Sequence, residues 1–127
     1  MFKETKAFSG FAVDDLEAAG RFYGETLGLE VKVLDEGNLI SLELAGERPT
    51  LVYAKPDHVP ATYTILNFPV DDVDAAAAEL ASRGVELERY EGMDQDENGV
   101  SRDPAGPPIA WFKDPAGNIL SVLEEQP

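Results

Sequence analysis

The sequence predicts an α+β fold built from two similar halves that follow one another along the chain. The first observation is an internal repeat, in which residues 13–19 (VDDLEAA) return as residues 70–76 (VDDVDAA). The second is a glycine that closes each helical pattern, Gly28 in one half and Gly84 in the other. Self-similarity of this kind is the sequence signature of a repeated structural unit. We therefore expect two related modules.

In the first half, the apolar run at 7–13 predicts a strand, and Asp14 is predicted to cap a helix. The apolar residues then recur at helical spacing and stop before Gly28, a residue type favoured after a helix. Alternating apolar residues predict three further strands, which begin near Leu29, Ile40 and residue 50. The first module, 1–57, is thus expected to have the order βαβββ. A connector follows at about 56–61.

The second half, 62–127, repeats this order. A strand at 62–69 precedes a helix capped by Asp71, and a further strand is expected to start at Val85 after Gly84. The apolar runs at 109–112 and 119–123 flank the sequence DPAGN at 114–118, which suits a tight turn closing a hairpin. The two modules together are predicted to form a single domain, 1–127.

Composition excludes several classes of function. The chain has 127 residues, 43% of them hydrophobic, which is typical of a globular protein. It has no cysteine, so disulfides and thiolate metal sites are excluded. A net charge of −15 would repel phosphate backbones and anionic lipid surfaces, so neither a nucleic acid nor a membrane is an expected partner. No signal-peptide pattern is present, and we expect a cytoplasmic location.

Four segments carry a family resemblance: FSGFAVDDLEAA at 8–19 and LGLEV at 27–31 in the first half, and VDDV at 70–73 and WFKDPAGNIL at 111–120 in the second. They resemble the vicinal oxygen chelate superfamily, which includes glyoxalases, extradiol dioxygenases and bleomycin-resistance proteins. The resemblance implies a fold of the glyoxalase/bleomycin-resistance type. In that fold each βαβββ module curls a mixed sheet around a cavity, and a homodimer usually completes the cavity.

The superfamily's enzymes generally hold a divalent metal with His, Gln and Glu side chains. The resemblance places those positions at Phe8, at Ile65, at Ser121 and at one of Leu51, Val52 and Tyr53. None of these residue types ligates a divalent metal well. We therefore expect no metal cofactor and assign no catalytic residues.

The alternation of side chains along the strands predicts an apolar interior with a few polar groups. This is the usual character of a small-molecule site. We expect metal-independent binding or sequestration of a small organic molecule, aromatic or cationic, in an aromatic-lined cavity of a homodimer similar to bleomycin-resistance proteins. The predicted ligand-binding residues are Phe8, Tyr53, Ile65, Asn67, Trp111 and Ser121.

Two other functions are compatible with the sequence. The chain could be a glyoxalase-type lyase or isomerase, or a dioxygenase-like enzyme, with unconventional ligands in which Asn67, Tyr53 and Ser121 orient a carbonyl. It could also be an interaction module that docks a partner through the segment 91–108, rich in glycine, proline and acidic residues.

Three features have a functional and a structural interpretation. The segment 91–108 is either a lid over a cavity or a surface loop. The single histidine, His58, is expected to be an exposed connector residue. The acidic sequence DQDENG at 94–99 matches the first half of an EF-hand loop, but loop position twelve would be Ala105, so a solvated loop is expected.

Overall fold

The computed structural model describes residues 1–46 and 48–125. The chain divides into two compact units, of which the first is Met1–Pro60 and the second begins at Ala61. This boundary lies within the predicted connector at 56–61. Residues 126 and 127, which belong to the predicted second module, lie outside the described residues. No helix in the described ranges combines the length and apolar character needed to span a membrane.

The first unit has the predicted order of one strand, one helix and three strands. Its sheet has the order β1-β4-β3-β2, with β1 parallel to β4 and the other pairs antiparallel. The helix α1 continues directly into a π-helical turn at Phe22–Thr26. The regular elements are β1 Gly10–Val13, α1 Leu16–Arg21, β2 Glu30–Leu34, β3 Leu39–Glu43 and β4 Thr50–Ala54.

The second unit also begins with a strand and a helix, but its sheet has three strands. The order is β5-β7-β6, with β5 parallel to β7 and β6 antiparallel to β7. The elements are β5 Thr64–Val70, α2 Val73–Ser82, β6 Ile109–Lys113 and β7 Ile119–Glu124. This arrangement confirms two modules of the βαβββ type with mixed sheets, the second of them abbreviated.

The strand predicted from Val85 is wrong. Residue Leu87 makes a single isolated bridge to Phe112, and the Glu88 amide donates to the Trp111 carbonyl over 2.8 Å. The Glu88 carbonyl accepts a hydrogen bond from the side chain of Gln95 over 2.9 Å. Because a side chain from the following segment uses this group, the ladder does not extend beyond one bridge.

Each helix begins one residue later than the sequence predicted. The carboxylate of Asp15 accepts from the amide of Ala18, and the carboxylate of Asp72 accepts from the amide of Ala75, both over 3.1 Å. These caps replace the predicted Asp14 and Asp71. Asp15 and Asp72 have extended backbone conformations, which direct the side chain at the first free amides of the helix. The repeated Asp-Asp pair therefore uses its second member.

The helix ends agree with the prediction. Gly28 and Gly84 have φ angles of +75° and +82°, in the region that favours glycine. After Gly84, the Val85 amide donates to the Leu80 carbonyl over 2.9 Å and satisfies one of the free carbonyls at the helix end.

One face of each sheet forms the hydrophobic core of its unit. In the first unit, α1 packs on β3 and β4, and in the second, α2 packs on β6 and β7. Alternate strand residues on the helix side are buried, including Val13, Ile40, Leu42 and Val52 in the first unit and Ala110, Phe112, Leu120 and Val122 in the second. We call the opposite side of each sheet the open face, because the helix of that unit does not cover it.

The predicted hairpin turn at 114–118 is confirmed and fixes the register of the second sheet. The Asp114 carboxylate accepts from the amides of Ala116 and Asn118 over 3.0 and 2.9 Å, and Gly117 has a φ of +88°. This turn pairs Trp111 with Ser121 across β6 and β7. The turn thus determines which side chains meet on the open face.

Candidate functional site

Three of the predicted ligand-binding residues lie in one row across the open face of the second unit. Ser121 on β7 pairs with Asn67 on β5 and with Trp111 on β6. The Ser121 hydroxyl donates to the Asn67 side-chain carbonyl over 2.5 Å. Ser121 is fully buried, whereas Asn67 is exposed and Trp111 is half-buried. The row therefore places a polar pair beside an accessible indole.

Thr64 joins this row, and the sequence analysis missed it. The Trp111 indole N–H donates to the Thr64 hydroxyl oxygen over 3.1 Å. A register shift between Thr64 and Leu66 breaks the alternation along β5, and it pairs Thr64 with Ile119. Ile65 lies at this irregularity and is half-buried. The signal that could have found Thr64 is the need of a strand tryptophan for a hydrogen-bond acceptor.

Tyr90 packs against the same indole. The Tyr90 and Trp111 ring centroids are 5.5 Å apart with an interplanar angle of 77°, an edge-to-face contact. The Tyr90 hydroxyl is buried and has no hydrogen-bond partner among the described residues. Burial, and secondarily the nearby Glu88 carboxylate, raise the pKa of Tyr90, although Lys113 opposes this shift. The phenol, which is protonated at neutral pH in any case, is thus moved further from ionisation.

Gln95 holds the segment that carries Tyr90. Its side-chain amide donates to the carbonyls of Glu88 and Gly99 over 2.9 and 2.8 Å, and its side-chain oxygen accepts from the Tyr90 amide over 2.8 Å. Its two polar atoms therefore join three backbone groups between residues 88 and 99. This arrangement fixes the backbone of Tyr90 beside β6.

The acidic sequence at 94–99 forms a turn in which a carboxylate binds backbone amides of the same segment. The Asp96 carboxylate accepts from the amides of Asn98 and Val100 over 2.9 and 3.0 Å and also contacts Arg102. Burial tends to raise the pKa of Asp96, but the two amides and the guanidinium outweigh it, so the pKa lies below its ordinary value. The Nη2 atom of Arg102 also donates to both carboxylate oxygens of Asp74 on α2, over 2.5 and 2.6 Å. These contacts favour a fixed wall of the second unit over a moving lid.

The other predicted residues belong to the first unit and are described separately. Tyr53 on β4 lies on the open face, 43% exposed, and pairs with Ala12 and Leu39. Phe8 precedes β1 and is 58% exposed, with the Arg48 guanidinium 5.7 Å from its ring centroid.

Gly10 explains how β1 reaches β4 at this face. A Cβ atom at Gly10 would lie 2.9 Å from the Leu51 carbonyl oxygen, closer than such atoms approach. The glycine therefore permits the close backbone pairing that aligns Ala12 with Tyr53. Among the described residues of this unit, Tyr53 has no partner row comparable to that of Trp111.

The residues at the superfamily's metal positions do not fit a divalent ion. Phe8 and Ile65 carry no donor atoms, and the Ser121 hydroxyl is bound to Asn67. Across residues 1–46 and 48–125, no group of three His, Asp or Glu side chains is placed to hold a metal. Metal ions in proteins need several converging donors of this kind. The side chains at these positions therefore do not offer a divalent ion a coordination site.

His58 differs from the exposed connector residue that was expected. It is half-buried, and its Nε2 atom is buried without a hydrogen-bond partner in the described part of the chain. Its backbone amide donates to the Lys55 carbonyl over 3.0 Å, which closes a turn after β4. The prolines that flank it in sequence indicated a connector but not the burial of the ring.

A comparison with protein families identifies the class of this chain. Residues 7–122 match the model of the Glyoxalase/Bleomycin resistance protein/Dioxygenase superfamily, and the chain belongs to that superfamily. This confirms the resemblance recognised in the sequence. A search of curated proteins gives no significant match.

Solved structures show the same fold. A superfamily member from Sphaerobacter thermophilus is 25% identical, with a TM-score of 0.71 over 98% of this chain and all of its own (100%). A lactoylglutathione lyase from Agrobacterium tumefaciens is 24% identical, with a TM-score of 0.69 over 95% of this chain and 93% of its own. TnmS3, an antibiotic binding protein from Streptomyces sp. CB03234, is 23% identical, with a TM-score of 0.70 over 99% of both chains. At these identities the last two establish the shared fold alone.

Proposed function

We propose that this protein binds, and thereby sequesters, a small organic molecule without using a metal ion. The ligand would lie on the open face of the second unit, against Trp111 and beside the Ser121–Asn67 pair. The protein would act as a homodimer. Tyr53 and Phe8 in the first unit, and Ile65 in the second, remain proposed ligand contacts.

The row of Trp111, Ser121 and Asn67 is the observation that carries this proposal. It combines an accessible aromatic ring with polar groups that are already oriented by hydrogen bonds, and the apolar residues Ile109, Ile119 and Leu123 flank it on β6 and β7. Such surfaces bind small molecules through apolar contact and select them through a few polar groups. The antibiotic binding role in the name of TnmS3 supports binding as a function of this fold.

The metal positions support binding over the enzymatic alternative. The side chains of Phe8 and Ile65 carry no atoms that could hold a metal ion at these positions. An ion held there could otherwise have polarised a substrate carbonyl. The alternative remains a glyoxalase-type lyase or isomerase, or a dioxygenase-like enzyme, in which Asn67, Tyr53 and Ser121 orient the carbonyl directly.

Native mass spectrometry of protein purified without added metal tests the proposal. We expect the mass of a dimer without a stoichiometric metal ion. The dimer should either retain a small molecule or, if it is empty, take up added ligands. Because the chain has one tryptophan, its fluorescence reports ligand binding at Trp111 in the same preparation. The proposal is wrong if a stoichiometric ion is found, or if the protein turns over a methylglyoxal–thiol adduct and a chelator abolishes that activity.

A further inference from the structure

The open face of the second unit presents hydrogen-bond donors that the described residues leave without acceptors. The Asn67 side-chain carbonyl accepts from Ser121, and this leaves its NH₂ group toward the exposed side. The Thr64 oxygen accepts from the Trp111 indole, and this leaves the hydroxyl proton. The Tyr90 hydroxyl has no partner at all within the described ranges. Thr64 and Tyr90 contact the indole and Asn67 lies in the same row, and each of the three has a hydrogen-bond donor without an acceptor.

The orphaned Tyr90 hydroxyl is the strongest of these observations. A buried polar group without a hydrogen bond is costly, and native proteins rarely retain one without a reason. Burial and Glu88 raise the pKa of Tyr90, so the group keeps the proton that it would donate. The hydroxyl is covered in the free protein, so an acceptor atom on a bound molecule would satisfy it by displacing the groups that cover it.

The charges near this face favour neither an anion nor a cation. Lys113 lies on β6, in register with Ile119 and beyond it with Thr64, and its ammonium is 3.3 Å from the Glu88 carboxylate. The pair leaves little net charge for an anionic ligand, and the net charge of −15 of the whole chain repels anions further. A cation would be attracted by the net charge and by the face of the Trp111 indole, but the Asn67 NH₂ group and the Lys113 ammonium offer it no acceptor.

On these grounds we propose that the ligand is a neutral, planar molecule that carries several acceptor oxygens, such as carbonyl and ether oxygens. The flat part would lie against Trp111, and the oxygens would accept from Asn67, Thr64 and Tyr90. This inference rests on the proposed binding function. It narrows the ligand class, since the sequence alone allowed a cationic ligand as well as an aromatic one.

Isothermal titration calorimetry with two planar probes tests the inference. Flavone is neutral and carries a carbonyl and an ether oxygen, whereas 9-aminoacridine is a planar cation at neutral pH. We expect flavone to bind about tenfold or more tightly than 9-aminoacridine, because unpaired donors discriminate strongly between ligands that can and cannot satisfy them.

Two isosteric variants locate the donors. Thr64→Val and Tyr90→Phe each remove one hydroxyl and keep the shape of the side chain, and each should weaken flavone binding about 3- to 10-fold. Tyr63→Phe is the matched control, because Tyr63 is 70% exposed and stands outside the row. Tyr90→Phe should also leave the melting temperature of the free protein unchanged or raised, because it removes an unsatisfied buried group.

The outcomes separate this inference from the function on which it rests. Tighter binding of 9-aminoacridine than of flavone, or equal flavone affinities for Thr64→Val, Tyr90→Phe and Tyr63→Phe, would overturn the donor assignment and leave small-molecule binding intact. If neither probe binds and the purified dimer retains no molecule, the proposed function itself is wrong.

Discussion

The two units of this protein begin alike and diverge after the helix. In the first unit, Gly28 leads into β2, which pairs along its whole length with β3. In the second unit, Gly84 leads into a stretch with one bridge at Leu87 and then into the segment held by Gln95. The second unit has thus exchanged a regular strand for a side-chain-supported segment, and this segment is what brings Tyr90 to Trp111.

The open faces differ in the same way. The face of the first unit pairs Tyr53 with Ala12 and Leu39, and its charged residues lie toward β2, where Lys32 contacts Glu43 over 3.5 Å. The face of the second unit has an indole with a hydrogen-bonded polar pair and an unsatisfied phenol. The two copies of the repeat therefore share a helix-side core, whereas the hydrogen-bonding and aromatic side chains of the candidate site lie in the second copy.

The largest effect should come from removing the aromatic ring at the centre of the second face. Trp111→Ala is expected to weaken binding of flavone by about 30-fold or more, roughly 2 kcal/mol, as for a central aromatic contact. The corresponding change in the first unit, Tyr53→Ala, should cost about fivefold or less. Calorimetric affinities of the two variants, with thermal melts as a check on folding, measure this difference. A larger loss for Tyr53→Ala would reverse the comparison.

The next effect should come from releasing the segment that replaced the strand. Gln95→Ala removes three hydrogen bonds to backbone groups, and we expect the free energy of unfolding to fall by about 1–3 kcal/mol. Hydrogen exchange should accelerate at 88–100 and stay unchanged in β2 and β3 of the first unit. Gln95→Glu is the control, because it keeps an acceptor for the Tyr90 amide and loses both donors. Uniform acceleration in both units would contradict a local role for Gln95.

A smaller effect should distinguish the two members of each Asp-Asp pair. Asp15→Ala and Asp72→Ala remove the observed helix caps and should each lower the free energy of unfolding by about 1 kcal/mol. We expect the larger change for Asp72, since α2 buries Val73, Ala77 and Leu80. Chemical denaturation measures both. The neighbouring variants Asp14→Ala and Asp71→Ala should stay within about 0.5 kcal/mol of the unmodified protein. Equal effects at all four positions would contradict the cap assignment.

The smallest effect should be a local pH dependence in the second unit. The pKa of Asp96 lies below its ordinary value of 3.8, so its charged form stabilises the turn above that pH. This stabilisation is lost as the pH falls through the lowered pKa of the folded protein. Hydrogen-exchange protection of the Asn98 and Val100 amides should therefore drop on acidification below about pH 4. Asp96→Asn should have weaker protection at pH 7 and little further change, and a variant that keeps the full pH dependence would assign it to another group.

Local patterns in the sequence predicted the order of the elements well. The repeat, the helix stops at Gly28 and Gly84 and the hairpin at 114–118 depend on interactions between residues close in sequence, and all of these are present. The caps were placed one residue early, because two adjacent aspartates give the same signal and only the backbone conformation selects one. The strand after Gly84 was predicted wrongly because apolar alternation cannot show that Gln95 occupies the Glu88 carbonyl.

The site was predicted in part for the same reason. The alternation of side chains along single strands predicted that Asn67 and Ser121 face the site. The register of the sheet then placed them in one row with Trp111. Thr64 was missed because the register shift in β5 breaks the alternation on which the prediction depended, and the need of Trp111 for an acceptor does not by itself select a position. Tyr90 was one aromatic candidate among several, and its selection depends on a hydrogen-bond network that spans the irregular segment.

The sequence by itself determined the superfamily, the two βαβββ-type modules and the loss of donor groups at the metal positions, because these depend on residue identity and local spacing. The tertiary structure decided which side chains meet around Trp111 and which donors remain unpaired there. Hydrogen bonds between distant segments, such as those from Trp111 to Thr64 and from Ser121 to Asn67, set that arrangement. Such contacts produce no periodic pattern in the sequence, so they can be identified only from the strand register of the folded protein.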